Sequence, residues 1–362
     1  MNNIKFFKIK PLNKKFRGKF ILKSKGLIIV KYVECNELKP NMIIANTLYD
    51  NNENILLRAN KKLTITTLNR IKKLNYDGIY IFEDDDVVST PLVSEEVRLK
   101  SIKNLKNVNL DECLYLANSI VEEIRSNGNL LVETISLSSY DNYTYVHSVN
   151  VCILSILIGI GLGFTDEKLE KLSQAALLHD IGKTRIPLEI LNKPGKLTDE
   201  EFEEIKKHSE YGYELLKNNE NISSVVRVSV LQHHINEDEK SGYPLYLLGN
   251  HLHQFAKIIH IADVYDALTS KRVYKDAMNP ADALEYLMAN VGTMFNLDIV
   301  KTFMKYIALY PIGTKVLLSN NEVATIYKNN LECLARPIVK IQNGKIIDLY
   351  KNLNLTIVKS LT

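Results

Sequence analysis

Hydrophobic positions change period twice along the chain, and the changes divide it. In residues 27–33 an apolar run has strand character, and residues 38–42 form a turn around Pro40. Short apolar stretches at 43–48 and 55–58 flank the polar turn 50–54. Residues 66–74 place Leu68, Ile71 and Leu74 at helical spacing, and 78–82 alternates as a strand. This pattern predicts a small α+β unit over 29–82. Residues 83–110 open on an acidic run, pass Pro91 and continue as a charged amphipathic stretch, which predicts a linker.

From Asp111 to about Lys305 the apolar residues recur at helical spacing throughout. Thr198 followed by Glu201 is a capping box, and it opens a helix with Phe202, Ile205 and Leu215 on its apolar side. Pro194-Gly195 marks the turn before it. After Pro311 the period falls to that of strands, at 315–318, 323–327, 337–341 and 346–349, with hairpin turns at Asn320-Asn321 and Asn343-Gly344. The fold class expected is therefore multidomain: an all-α helical bundle over 111–310, a small N-terminal α+β domain over 29–82 and a short C-terminal β module over 311–362. Residues 1–28 are left as a basic segment and 83–110 as the linker.

Composition adds little to this. Hydrophobic residues make up 46% and charged residues 24%, as in ordinary globular chains, and the net charge is +4. That charge gives no reason to expect polymeric nucleic acid or a membrane as partner. It is uneven, since residues 1–31 carry ten Lys or Arg and no acid, which reads as a solvated basic tail or an anion-binding arm. The four cysteines are far apart and form no CxxC pair, as expected of packing thiols in a reducing cytoplasm. The most apolar stretch, 149–164, contains Asn150, Ser155 and three glycines and falls short of the roughly 20 residues of a membrane span, so a buried helix is expected.

The histidines change the picture. All eight lie between 147 and 260. A single His on an apolar helix is ordinarily a packed core residue, but these come with aspartates at the ends of buried faces. His179-Asp180 follows the apolar run 175–178, where an ionised carboxylate is costly unless paired or bound to a cation. His233-His234 follows the apolar run 225–231 with no acid beside it. His208 lies on the inner edge of its helix, His147 begins the most apolar helix, and Asp263 sits within an apolar segment. Imidazole and carboxylate together suit Fe, Mn or Zn.

Here the residues reach a known pattern. Residues 140–310 closely resemble the HD-GYP family of the HD phosphohydrolase superfamily. The resemblance rests on His179-Asp180-Ile181-Gly182-Lys183, the segment 190–198, His208, His233-His234, Gly242-Tyr243-Pro244, and the segment 262–270 leading to Arg272 and Lys275. It implies an HD-type helical bundle hydrolysing cyclic di-GMP to linear pGpG or GMP. The metal ligands it implies are His147, His179, Asp180, His208, His233, His234 and Asp263, with Asp180 bridging. It also implies a bi- or trinuclear site of Fe or Mn; two ions are the expectation, because Tyr143 stands where some members carry a Glu for a third. Asp180 and Lys183 become the catalytic residues, Lys183 stabilising charge on phosphorus. Lys183, Arg272, Lys275, Asp266 and Tyr243 become substrate-binding residues: Arg272 and Lys275 as phosphate clamps, Asp266 touching guanine or orienting a ligand, Tyr243 stacking on a base or facing a partner protein. His251, His253 and His260 match no ligand position and read as structural or exposed. Partners expected are cyclic di-GMP, diguanylate cyclases docking on the Gly242-Tyr243-Pro244 loop, and a second copy in a homodimer. The competing readings are a receptor or docking protein that binds without cleaving, and a hydrolase of another nucleotide such as cyclic GMP-AMP.

The sequence departs from the family in one loop. After His233-His234 the family has Glu and then Asp-Gly-x-Gly-Tyr-Pro; here Ile235 follows, the Asp-Gly is absent, and the loop is one residue longer.

Overall fold

In the computed structural model of the chain, the described residues are 30–44, 47–49, 55–58, 61–74, 76, 78–82, 92–127, 130–132, 143–193, 195–270, 277–330 and 332–361. Arg272, Lys275, Asp141 and the basic segment 1–28 lie outside them.

The N-terminal unit contains β1 (Val30–Glu34), β2 (Ile43–Ile44), β3 (Leu48–Tyr49), β4 (Ile55–Leu57), α1 (Ile65–Lys73) and β5 (Gly78–Phe82). Antiparallel β1 and β2 flank β5, and β3 pairs with β4. Thr64 and Thr67 close a capping box on α1, which turns Leu68 and Ile71 onto Ile44, Ile79 and Ile81 in a small core.

Next come α2 (Glu95–Lys106), α3 (Leu110–Ser126), α4 (Tyr143–Gly161) and α5 (Asp166–Leu178). A 3₁₀ segment, Ile181–Arg185, leads to α6 (Leu188–Leu191), α7 (Asp199–Lys206), α8 (His208–Leu216) and α9 (Ser224–Gln232). A second 3₁₀ turn, Leu245–Leu247, precedes α10 (Gln254–Thr269), α11 (Pro280–Ala289) and α12 (Leu297–Phe303). The predicted capping box of Thr198 and Glu201 is present at the start of α7.

Helix α4 is the axis of this body. It meets α2, α3, α5, α10 and α12, and Val149, Leu154, Ile156, Leu157 and Ile158 are fully buried. Residues Thr144–Gly161 are long and apolar enough to cross a membrane, but most of the stretch is buried inside the protein, as in the core helix of a globular body. The stretch read as a linker differs from expectation. It contains α2, whose Ile102 and Leu105 enter the same core as α4 and α5, together with Val93. Its Lys- and Glu-rich surface hid this, because the helix buries only a narrow strip.

The C-terminal segment is a five-stranded antiparallel sheet in the order β10-β6-β7-β8-β9. Strands β6 (Lys315–Leu318), β7 (Val323–Lys328), β8 (Ile338–Ile341) and β9 (Ile346–Asp348) coincide closely with the predicted runs. Asn321 (φ 64°) and Gly344 (φ 85°) take the left-handed conformation that their tight turns need. The edge strand β10 (Ile357–Ser360) was not foreseen; it pairs with β6, and Val358 remains exposed, so it lacks an alternating apolar face.

Candidate metal centre

Polar groups collect where six helical elements end or cross. His147 is near the start of α4, His179 follows the end of α5, Asp180 precedes the first 3₁₀ segment, His208 begins α8, and His233 and His234 follow α9. Helix α10 contributes His260, Asp263 and Asp266 at intervals of three, on one face. His147, His179, Asp180, His208 and His233 are all at most 3% exposed.

One local device repeats three times. His179 Nδ1 donates to the carbonyl of Ala176 (2.8 Å), His208 Nδ1 to that of Ile205 (2.7 Å), and His233 Nδ1 to that of Val230 (2.6 Å). A carbonyl can only accept, so the Nδ1 proton is fixed and each Nε2 is left as a lone pair facing inward. Burial, foremost, pulls the pKa of His208 down to about 4 and holds that of His233 well below its ordinary value, so both rings are neutral at pH 7.

The carboxylates face these nitrogens. Asp180 Oδ1 lies 3.3 Å from His208 Nε2, and its Oδ2 lies 3.4 Å from His179 Nε2 and 3.8 Å from His147 Nε2. Lys183, one turn on, places its ammonium 2.5 Å from Asp180 Oδ2. Burial works to raise the Asp180 pKa, but Lys183, His179 and His208 together hold it well below the usual carboxylate range. Asp263 Oδ1 lies 3.0 Å from His147 Nε2, and its Oδ2 lies 3.9 Å from His234 Nδ1.

The donor set fits a cation. His179 Nε2 and Asp180 Oδ1 are buried without a hydrogen-bond partner. His208 Nε2 lies 3.2 Å from both His233 Nε2 and His234 Nε2. Two neutral rings that present lone pairs to each other cannot hydrogen-bond; a shared cation removes the conflict. The seven atoms form two groups, Asp180 with His208, His233 and His234, and His147 with His179 and Asp263, each with all its atoms within 4.8 Å of one another. The seven positions implied by the family resemblance are thus brought together.

Glycines make the crossing possible. A Cβ at Gly182 would lie 1.9 Å from the His208 carbonyl oxygen and 2.4 Å from the Gly212 nitrogen. Without glycine there, the 3₁₀ segment that follows Asp180 could not lie against α8. Gly242, at φ 104°, is held similarly, since its Cβ would meet the His234 carbonyl at 2.1 Å. The unusual loop 235–241 is tied down from outside: Glu237 and Asp238 donate backbone N–H groups to Met294 and Thr293, and Asn296 donates to Glu237 at 2.9 Å. Tyr243 is placed at the site, stacked on His234 with centroids 4.4 Å apart. Burial pushes its phenol above the ordinary range, so it stays protonated.

Three expectations change or sharpen. Asp266 is 1% exposed and both its oxygens are engaged inside the protein, by His147 at 2.7 Å and Asn150 at 3.0 Å, so its carboxylate is turned to the His147 ring and away from the surface. His260 is buried and donates Nδ1 to the His233 carbonyl at 2.8 Å, while His253 caps α10 and His251 is exposed. Asn150 was read only as an interruption in an apolar run; its partners lie 52 and 116 residues away, beyond any local signal.

Residues 137–299 match the family model described as HD domain. The chain is similar to a cyclic di-GMP phosphodiesterase of Pseudomonas aeruginosa, 36% identical over 229 residues, covering 62% of this chain and 55% of that one. It is similar to the cyclic di-GMP phosphodiesterase response regulator RpfG of Xanthomonas campestris, 41% identical over 150 residues, covering 41% and 39%. A 3'3'-cGAMP-specific phosphodiesterase of Vibrio cholerae is 36% identical over 144 residues, covering 40% and 28%. The chain spans about half the length, or less, of these curated relatives.

Proposed function

The chain belongs to the HD-GYP family of HD phosphohydrolases through residues 137–299, and from that premise we propose that it hydrolyses cyclic di-GMP as a metal-dependent phosphodiesterase. The observation that carries this reading is the cradle of inward-facing His Nε2 lone pairs around Asp180.

Two divalent ions, Fe or Mn, would be held by Asp180, His208, His233 and His234 on one side and by His147, His179 and Asp263 on the other, with Asp180 shared. When bound, such ions supply Lewis acidity to a phosphoryl group and lower the pKa of water. The chain's own residues do the rest. Lys183 is partly exposed beside Asp180, where its ammonium can turn to an equatorial phosphate oxygen and stabilise charge as it develops. Tyr243, protonated and beside His234, can donate its O–H to the substrate or place its ring edge against a base. Arg272 and Lys275 follow α10 in sequence and serve as clamps for the second phosphate of a cyclic dinucleotide.

The N-terminal α+β unit is read as an accessory domain and the C-terminal sheet as a separate small module. Diguanylate cyclases docking on the Gly242-Tyr243-Pro244 loop, a homodimer and a cytoplasmic setting complete the reading. The test is direct: protein loaded with Mn or Fe is incubated with cyclic di-GMP and the products are resolved over time. Appearance of pGpG or GMP supports the proposal. Tight binding without turnover would convert it to a receptor, and preferential cleavage of cyclic GMP-AMP would reassign the substrate.

A further inference from the structure

The candidate metal centre has a support that begins outside the HD domain match. His147 turns Nε2 to Asp263 at 3.0 Å, and its Nδ1 bonds Asp266 Oδ2 at 2.7 Å. The other oxygen of Asp266 accepts from Asn150 Nδ2 at 3.0 Å. Asn150 Oδ1 in turn accepts from Arg98 Nη2 at 2.8 Å. His147, Asn150 and Asp266 are buried. The amide of Asn150 has only one sensible orientation, its oxygen to the guanidinium and its nitrogen to the carboxylate.

Arg98 belongs to α2, and residues 94–106 lie before the matched segment 137–299. The helix cannot drift. At its start, the backbone N–H and hydroxyl of Ser94 both donate to Glu123 of α3, at 2.6 and 2.7 Å. Further along, Ile102 and Leu105 are packed in the core with α4. Three consecutive hydrogen bonds therefore connect a fixed helix to the ring of a candidate ligand.

We propose that Arg98, Asn150 and Asp266 are positioning residues that lock the ring of His147, so that α2 sets the affinity of the metal position His147 serves; the inference rests on the metal-dependent reading above. A carboxylate on the second nitrogen of a ligating His fixes its orientation and raises its basicity, and loss of such a partner typically costs about 10–100-fold in metal affinity. Asp266 can act this way only while its plane is held. Asn150 holds it, and Arg98 prevents Asn150 from turning over.

The experiment uses the full chain stripped of metal and titrated with Mn against a fluorescent chelator. Arg98→Met, Arg98→Lys, Asn150→Leu and Asp180→Ala are compared with the parent, and the unfolding temperature of each metal-free protein is recorded. We expect Arg98→Met and Asn150→Leu to weaken one Mn equivalent about 10–100-fold. The other equivalent and the metal-free unfolding temperature should hold, and Arg98→Lys should recover part of the loss. Affinities within about twofold of the parent in Arg98→Met would overturn the relay. So would a uniform loss of both equivalents together with a lowered metal-free unfolding temperature, the mark of a packing role. Should Asn150→Leu fail to fold, Arg98→Met decides alone. Asp180→Ala separates this failure from the other: if it too retains Mn, the metal reading itself falls.

Discussion

His208 Nε2 lies 3.2 Å from His233 Nε2, although each ring already uses its Nδ1–H to donate to a backbone carbonyl. The metal-free chain thus holds opposed lone pairs in a buried site, and it is stabilised by whatever cation relieves them. Metal at 100 times its Kd should contribute about 2.7 kcal/mol to folding, a rise in Tm on the order of 5–10 °C for a body of this size. Asp180→Ala should keep its helical circular dichroism, lose the metal-induced shift and lose hydrolysis. Full metal occupancy with near-normal turnover in that variant would sink the metal assignment.

Metal binding should be coupled to proton release. In the metal-free chain burial depresses the His147 pKa, but hydrogen bonds to Asp263 and Asp266 push harder the other way, and the net is a rise from 6.5 to about 9. At pH 7 the ring therefore carries a proton that a cation must displace. This proton is lost as pH rises through about 9, so affinity should climb from pH 7 to that point, by up to about tenfold per pH unit, and then flatten. His208, drawn down to about 4, adds nothing in this window. Calorimetry in two buffers of different ionisation enthalpy reads the released proton directly; a buffer-independent heat at pH 7 would remove His147 from the coupling.

The candidate ligands are legible because each breaks a rule that apolar sequence otherwise keeps. His179-Asp180 and His233-His234 end buried faces where nothing local could offset the cost of burying them, so their pattern stood out against the core. The supports were not legible in the same way. Gly182 appeared only as part of a motif, and its steric reason, the His208 carbonyl 1.9 Å from a notional Cβ, exists only once α8 is folded against it. Arg98 sits in a charged amphipathic stretch that reads as a linker. The strands of the C-terminal sheet were read from their alternation, except β10, whose single packed residue, Ile357, leaves no period to see.

Gly182→Ala tests the crossing. The added methyl would meet backbone atoms of His208 and Gly212, which cannot rotate away as a side chain could. We expect a loss of roughly 1–3 kcal/mol in denaturant unfolding, with weaker metal binding because Asp180 is pushed from His208. Unchanged stability and metal content would show that the 3₁₀ segment has slack absent from this structure.

Residues preceding the helical body can be removed only to a definite point. The sequence reading of 83–110 as a linker would permit a chain beginning near residue 100. Helix α2 argues otherwise, since Val93, Ser94 and Arg98 all make contacts with α3 or α4 or with the core they share. A chain beginning at residue 92 should fold, bind metal and retain hydrolysis. One beginning at residue 100 should bind metal more weakly and unfold at lower temperature. Equal metal affinity and Tm in the two would return α2 to the status of a linker.

The number of ions is the last expectation. The seven candidate ligand atoms divide into a group of four and a group of three, and Asp180, whose two oxygens face His208 on one side and His147 and His179 on the other, lies between them. A third ion near His147 would add charge that needs a further anionic ligand. A carboxylate one helical turn earlier would supply it from the same face, but Tyr143 stands there. A phenol, with an ordinary pKa near 10, is a poor ligand for divalent Fe or Mn at neutral pH. Of the two acids on α10 near His147, Asp266 is already committed to the other ring nitrogen. Two ions sharing Asp180 are therefore expected. Anomalous scattering from a metal-replete crystal should give two peaks, and three fully occupied peaks with one beside residue 143 would refute the count.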